Sequence, residues 1–255
     1  MWCGYFHDKT QGNMCTVTFI PLGNKILLTS NRDEKAVRKQ AISPAVTAYN
    51  SANLLFPKDA EAGGTWIGAS DTGTIMVLLN GGFIKHEPAA EYRKSRGLVF
   101  LDVLSETKAL PSFKKTNLLG IEPFTLVIWE DGKLYECRWS GEEKYIREMD
   151  ITQPHIWSSV TLYTSAIIQK REQWFKNWLD VHPQPSITDI RKFHLFGGEG
   201  DSENDICMNR NNAMFTVSIT SIECNRQQAI MYYEDLINQN KTEATLTFVQ
   251  EQPVA

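Results

Sequence analysis

The stretch MCTVTFIPLGNKILLTSNRDE, residues 14–34, reads as a β-hairpin that ends in a cluster of polar and charged side chains. Thr16 to Leu22 has the β-branched and aromatic content of a strand, and Ile26 to Ser30 is a second one. Between them Gly23-Asn24 supplies a two-residue turn, because both residues tolerate the positive φ that tight hairpins require. Counting outward from that turn sets Leu22 against Lys25 and Cys15 directly across from Arg32. Opposed residues have Cα atoms about 4.5–5.5 Å apart and share a face. The expected geometry therefore places a thiol beside a permanent cation, with Asn31 and Asp33 on either side.

Such a pair has chemical consequences. A cation beside a cysteine favours the thiolate, the form that attacks carbonyls. A cysteine at a free N-terminus also carries its own base, since an α-amino group titrates near about 7.7–8.0 and is partly neutral at physiological pH. Translation from Met14, followed by removal of that methionine, would expose Cys15. The plainer alternative is an ordinary buried cysteine, which is what most free cysteines are.

The rest of the chain alternates strand pairs with isolated helices. Residues 1–13 show no apolar period and read as a tail, or as an upstream start that the native protein does not use; 14–255 reads as one domain. Lys35 to Asp59 is polar and irregular, punctuated by Pro44 and Pro57, and is expected to be a long excursion beside the site. Thr65 to Ala69 and Thr74 to Leu79 form a second hairpin that delivers Asn80 at its end. A helix is expected near Ser95, and a third hairpin turns at Asp131-Gly132. Ile167, Ile168, Phe175, Trp178 and Leu179 form a helical stripe, and Ser186 with Asp189 reads as a capping box. Gly197 to Asp205 lacks the Walker spacing and reads as a turn. The last hairpin turns at Cys224-Asn225-Arg226. This order indicates an α+β fold, not a doubly wound parallel sheet.

Bulk properties narrow the function. The chain has 255 residues, 42% hydrophobic and 22% charged, with a formal net charge of −4. An acidic balance argues against non-specific nucleic-acid binding. No apolar run approaches the roughly 20 residues of a membrane helix, and the N-terminus does not read as a secretory signal. Cys3, Cys15, Cys137, Cys207 and Cys224 are scattered without a CxxC pair, which points to reduced thiols in a cytoplasmic setting and to no zinc site. The five histidines show no metal spacing and read as surface or helix-end residues. No metal or cofactor is expected.

Residues 14–34 resemble the start of the NRDE family, also called the Transport and Golgi organisation family. The resemblance continues through FPKDAEAGGTWIGAS (residues 56–70) and Leu79-Asn80. It returns at Arg93 to Gly97 and at Ile206-Cys207-Met208-Asn209-Arg210 with Thr216 and Ser218. That family is similar to the N-terminal-nucleophile hydrolases of the penicillin V acylase and bile-salt hydrolase group. The resemblance implies a four-layer αββα sandwich, two antiparallel sheets covered by helices on both outer faces. It implies Cys15 as nucleophile, Arg32 and Asp33 beside it, and Asn80 as an oxyanion donor. Asn31, Trp66 and Arg210 are the residues expected to contact substrate. Each has a structural alternative: Asn80 could cap backbone groups, Trp66 could simply fill the core, and Arg210 could make a surface pair. The chain departs from the pattern at three places: fourteen residues precede Cys15, Ser158-Ser159 replaces an expected Ser-Asn pair, and Asn209 stands where bacterial relatives often carry His. The expected activity is hydrolysis of a non-peptide C–N amide bond in a small molecule. The alternative is a non-catalytic protein handling haem or lipid.

Overall fold

The Gly23-Asn24 turn joins β1 (Asn13–Leu22) to β2 (Lys25–Lys35), with Leu22 paired to Lys25 and Gly23 at φ 62°. The computed structural model describes residues 13–249, with side chains from Thr16 onward. Of the expected tail, residues 1–13, positions 1–12 lie outside the described residues and Asn13 opens β1; the side chain of Cys15 also lies outside them.

Two seven-stranded antiparallel sheets form the body of the protein. The first has β10 (His155–Ser158), β1, β2, β12 (Met214–Cys224), β13 (Gln228–Asp235) and β14 (Lys241–Thr247) in spatial order, with β11 (Asn209–Arg210) paired to β12. The second runs β3 (Ile42–Tyr49), β4 (Ala52–Lys58), β5 (Ile67–Ser70), β6 (Ile75–Asn80), β7 (Phe124–Glu130), β8 (Lys133–Trp139) and β9 (Lys144–Met149). On the second sheet lie α1 (Arg96–Leu104) and α2 (Ala109–Lys115), packed on β5, β6 and β7. On the first lie α3 (Ser165–Val181), against β10, and α4 (Ile187–Phe196), against β2 and β12. The result is the expected αββα sandwich. No helix among the described residues is long and apolar enough to cross a membrane.

Burial explains the layering. Every residue of β6 is buried, because this strand meets β1 across the gap on one face and α1 on the other. A strand covered on both faces reads as a continuous apolar run, and IMVLLN is one. Val17, Phe19, Ile26 and Leu28 reach into the gap between the sheets, joining one core cluster with β6 and α1. Ile20 and Leu27 point the other way and form a second cluster with Phe175, Ile190, Phe193 and Ile206. Ser95 caps α1 by accepting from the Leu98 amide, and the Ser186–Asp189 capping box opens α4.

One expectation is corrected outright. Lys35 to Asp59 is not a loose excursion but contains the hairpin of β3 and β4, joined at Asn50, which has φ 52°. The strand β3 is a sheet edge and mostly exposed, so it carries no apolar alternation to betray it. Pro44 sits where its register shifts, a position that tolerates a missing N–H. The other edge strands, β9 and β14, and the four-residue β10 escape the sequence pattern for the same reason. His194 occupies a helix end as expected, yet it is fully buried, not at the surface.

Candidate functional site

The hairpin register holds from Leu22–Lys25 to Thr16–Asn31 and then slips. Met14, not Cys15, pairs with Arg32, leaving Cys15 as the extra residue of a β-bulge. The expected direct opposition of Cys15 and Arg32 is therefore corrected by one position. A second slip occurs across the sheet, where Thr216 pairs with Asp33 and Ser218 with Arg32, so Val217 is bulged. Arg32 thus lies between two bulges. A bulge bends its strand and redirects side chains, and bulges concentrate where a strand must aim a group.

The even-numbered residues of β2 face the gap between the sheets. Arg32 is 4% exposed and donates to Asp59 Oδ2 at 2.7 Å and to Glu34 Oε2 at 3.2 Å. Its guanidinium lies 4.6 Å from the ring centre of Trp66, within cation–π range. Arg38 joins from the following turn, donating to both oxygens of Asp59 at 3.1 Å. Asp59 itself is held by a tight loop. Its carboxylate accepts the Glu61 and Ala62 amides, its own amide donates to Gly64 O, and its carbonyl accepts Gly63 N–H. Burial alone would raise the Asp59 pKa. The Ala62 amide and the two guanidiniums outweigh it and hold the carboxyl below its ordinary range. Glu34 goes the other way, because burial there exceeds the pull of Arg32 and Arg38.

Two glycines let this loop meet α1. A Cβ on Gly64 would lie 2.5 Å from the carbonyl carbon of Gly97, so no side chain fits between them. Thr65 fixes the exit by donating to Pro57 O at 2.6 Å. Together Arg32, Arg38, Asp59, Trp66, Asn80 and Arg96 help to line a pocket of about 60 Å³. Arg96 is neutralised at its rim by Glu122, 3.1 Å away. Asn80 arrives at the end of β6, where its carbonyl accepts from Ser159 Oγ at 2.9 Å. Ser159, standing where an asparagine was expected, therefore braces the Asn80 backbone. Gly81 follows at φ 84°, and a Cβ there would come within 2.6 Å of Val160.

The odd-numbered residues of β2 face the helices. Asn31 is fully buried and donates from Nδ2 to Ile206 O (2.8 Å) and His194 O (3.1 Å). Its Oδ1 accepts from His194 Nδ1 at 2.6 Å, which leaves His194 Nε2 to accept from Thr18 Oγ1 at 2.8 Å. Burial, aided by Arg191 and Arg171, pushes the His194 pKa down to about 3, so the ring is neutral. Asp33 accepts from Thr216 Oγ1 at 2.5 Å and from Tyr163 OH at 3.4 Å. Arg210 donates to Glu203 O and Leu162 O and lies 5.2 Å over the Tyr163 ring.

Of the residues expected to form the site, Arg32, Trp66 and Asn80 meet at the pocket, while Asn31, Asp33 and Arg210 lie on the other face of the sheet. Sequence reasoning missed Arg38, Asp59 and Thr216. Asp59 and Thr216 stood inside the quoted family segments, but ion pairing and hydrogen bonding across sheets leave no spacing signal. Burial disfavours the thiolate at the described cysteines, pushing Cys137 and Cys224 up to about 12 and Cys207 up to about 11.

This architecture is that of the N-terminal-nucleophile hydrolases. The penicillin V acylase of Agrobacterium tumefaciens superposes with a TM-score of 0.58 at 9% identity, covering 90% of this chain and 85% of that one. A mutant of the conjugated bile acid hydrolase from Clostridium perfringens gives 0.57 at 12%, over 93% and 97%. The Caenorhabditis elegans ortholog of N-acylethanolamine-hydrolyzing acid amidase gives 0.58 at 14%, over 82% and 92%. At such identities the likeness is one of fold. By sequence, residues 14–195 match the family described as Transport and Golgi organisation 2, and the chain belongs to that family. Among curated proteins no sequence matches significantly.

Proposed function

We propose that the protein is a cytoplasmic N-terminal cysteine hydrolase that cleaves a non-peptide C–N amide bond in a small molecule. The observation that carries this reading is the meeting of Arg32, Asn80 and Trp66, drawn from two sheets, at a pocket beside the bulge of β1. In the reaction, Cys15 Sγ adds to the amide carbonyl while its own α-amine takes the thiol proton. Asn80 and a backbone N–H hold the oxyanion, each donor worth about 2.7–4 kcal/mol. Collapse expels the amine, which takes back the proton, and water then cleaves the thioester. Asp33 orients the α-amine. Arg32 shares its charge with Asp59 and Glu34, so it favours the thiolate less than a lone guanidinium would. Nucleophile, base and oxyanion donors are all protein groups, and the chemistry calls for no cofactor.

The alternative is a non-catalytic protein that holds haem or lipid at the same pocket. The test is turnover of a panel of N-acyl amides by the chain beginning at Cys15, with Cys15→Ala as control. Release of amine by the former and not by the latter is expected. Haem or lipid binding without turnover would overturn the hydrolase reading.

A further inference from the structure

The segment ICMNR (206–210) and Thr216 play no part in the mechanism above, yet they build the wall behind Asp33. Thr216 is buried and bound twice to Met208: its amide donates to Met208 O at 2.9 Å, and its Oγ1 accepts from Met208 N at 2.9 Å. A hydroxyl has one proton to give. With Met208 N–H on a lone pair, that proton goes to Asp33 Oδ1, 2.5 Å away. The same strand bulges at Val217, immediately after Thr216, so β12 is bent where this contact is made. Tyr163 adds a longer bond to Oδ2, and its ring is flanked by Arg171 at 3.6 Å and Arg210 at 5.2 Å. Arg171, fully buried, also donates to Thr16 Oγ1, one residue beyond Cys15.

We infer that Thr216 is a positioning residue: it locks Asp33 as an ionised acceptor in one orientation and thereby sets the protonation of the Cys15 amine and thiol. This rests on the hydrolase reading, in which Asp33 holds that amine. The charged and titratable groups around Asp33 are Tyr163 from the segment before α3, Arg171 from α3, Arg210 from β11, and Cys207 with Asp205 from the turn before β11; Arg32 and Glu34 of its own strand face the other way. Removing the hydroxyl takes away a hydrogen bond that favours the ionised carboxylate, so Asp33 holds its charge less firmly. A weaker negative charge holds the ammonium less and opposes the thiolate less, so both groups titrate lower.

The experiment is the pH dependence of iodoacetamide labelling of Cys15, read by peptide mass spectrometry. It is run on the 255-residue chain and on the form beginning at Cys15, which retains every described element except the first two residues of β1. In the latter, Thr216→Val is expected to move the labelling midpoint to lower pH and speed labelling at neutral pH by about three- to tenfold, a shift of up to about one unit. Thr216→Ser, which keeps the hydroxyl, restores the wild-type profile, and Tyr163→Phe moves it less. Near-ultraviolet circular dichroism checks that the variants are folded. A midpoint unmoved in folded Thr216→Val, or moved equally by Thr216→Ser, overturns this inference alone. A wild-type Cys15 no more reactive than Cys207 overturns the hydrolase reading and this inference with it.

Discussion

Along β2 the two faces are stabilised in different ways. The even positions place Arg32 and Glu34 in the gap between the sheets, where they join Arg38 and Asp59 in a buried ionic cluster. The odd positions place Asn31 and Asp33 against the helices, where bonds to His194, Ile206, Thr216 and Tyr163 fix them. The ionic face borders an open pocket, and the hydrogen-bonded face is closed. Ion pairs are thereby concentrated at the pocket, while the opposite face is held by hydrogen bonds. Buried ion pairs contribute little net stability but are costly to break, so the pocket side is the more fragile of the two.

Removing one partner of the cluster tests this most severely. Asp59→Ala leaves Arg32 with Glu34 alone and Arg38 without its closest carboxylate, and should cost about 3–5 kcal/mol in urea unfolding. Asn31→Ala on the closed face orphans two carbonyls and the His194 N–H, and should cost about 2–4 kcal/mol. If Asn31→Ala proves the costlier, the pocket side is not the fragile one.

Acid separates the faces further. The folded pKa of His194 lies near 3, below the unfolded value of about 6.5. Protons therefore bind the unfolded chain more readily. Stability due to this group is intact above about pH 6.5 and declines toward pH 3, by up to about 1.4 kcal/mol per unit. His194→Gln should flatten that slope in denaturation curves taken across the window; an unchanged slope would assign it to other groups. The smallest effect is expected from Glu34→Gln. Burial already weakens the preference of Glu34 for its charged form, and Arg32 keeps Asp59, so a change under about 1 kcal/mol is expected. A loss as large as that of Asp59→Ala would show that the cluster depends equally on both carboxylates.

Features governed by neighbours in the chain were legible. The Gly23-Asn24 turn, the Asp131-Gly132 turn with φ 51° and 72°, the Ser95 cap and the Ser186 capping box each depend on a few adjacent residues. So did the helical stripe of α3, whose period is local. The edge strand β3 was not legible, because an exposed strand needs no apolar alternation. Nor was the true partner of Arg32, since a bulge at Cys15 alters the count without altering the composition.

The sequence by itself determined the hairpins β1–β2, β5–β6, β7–β8 and β12–β13, the caps, the family resemblance and the presence of Cys15, Arg32, Trp66 and Asn80. Only the tertiary structure decided which of these share a pocket and which turn away. It moved Asn31, Asp33 and Arg210 to the helical side and brought in Asp59, Arg38 and Thr216. The reason is physical: local propensity acts over a few residues, whereas the face a strand residue presents depends on register. One bulged residue reverses that face, and only the packing of one sheet on another fixes where the bulge falls.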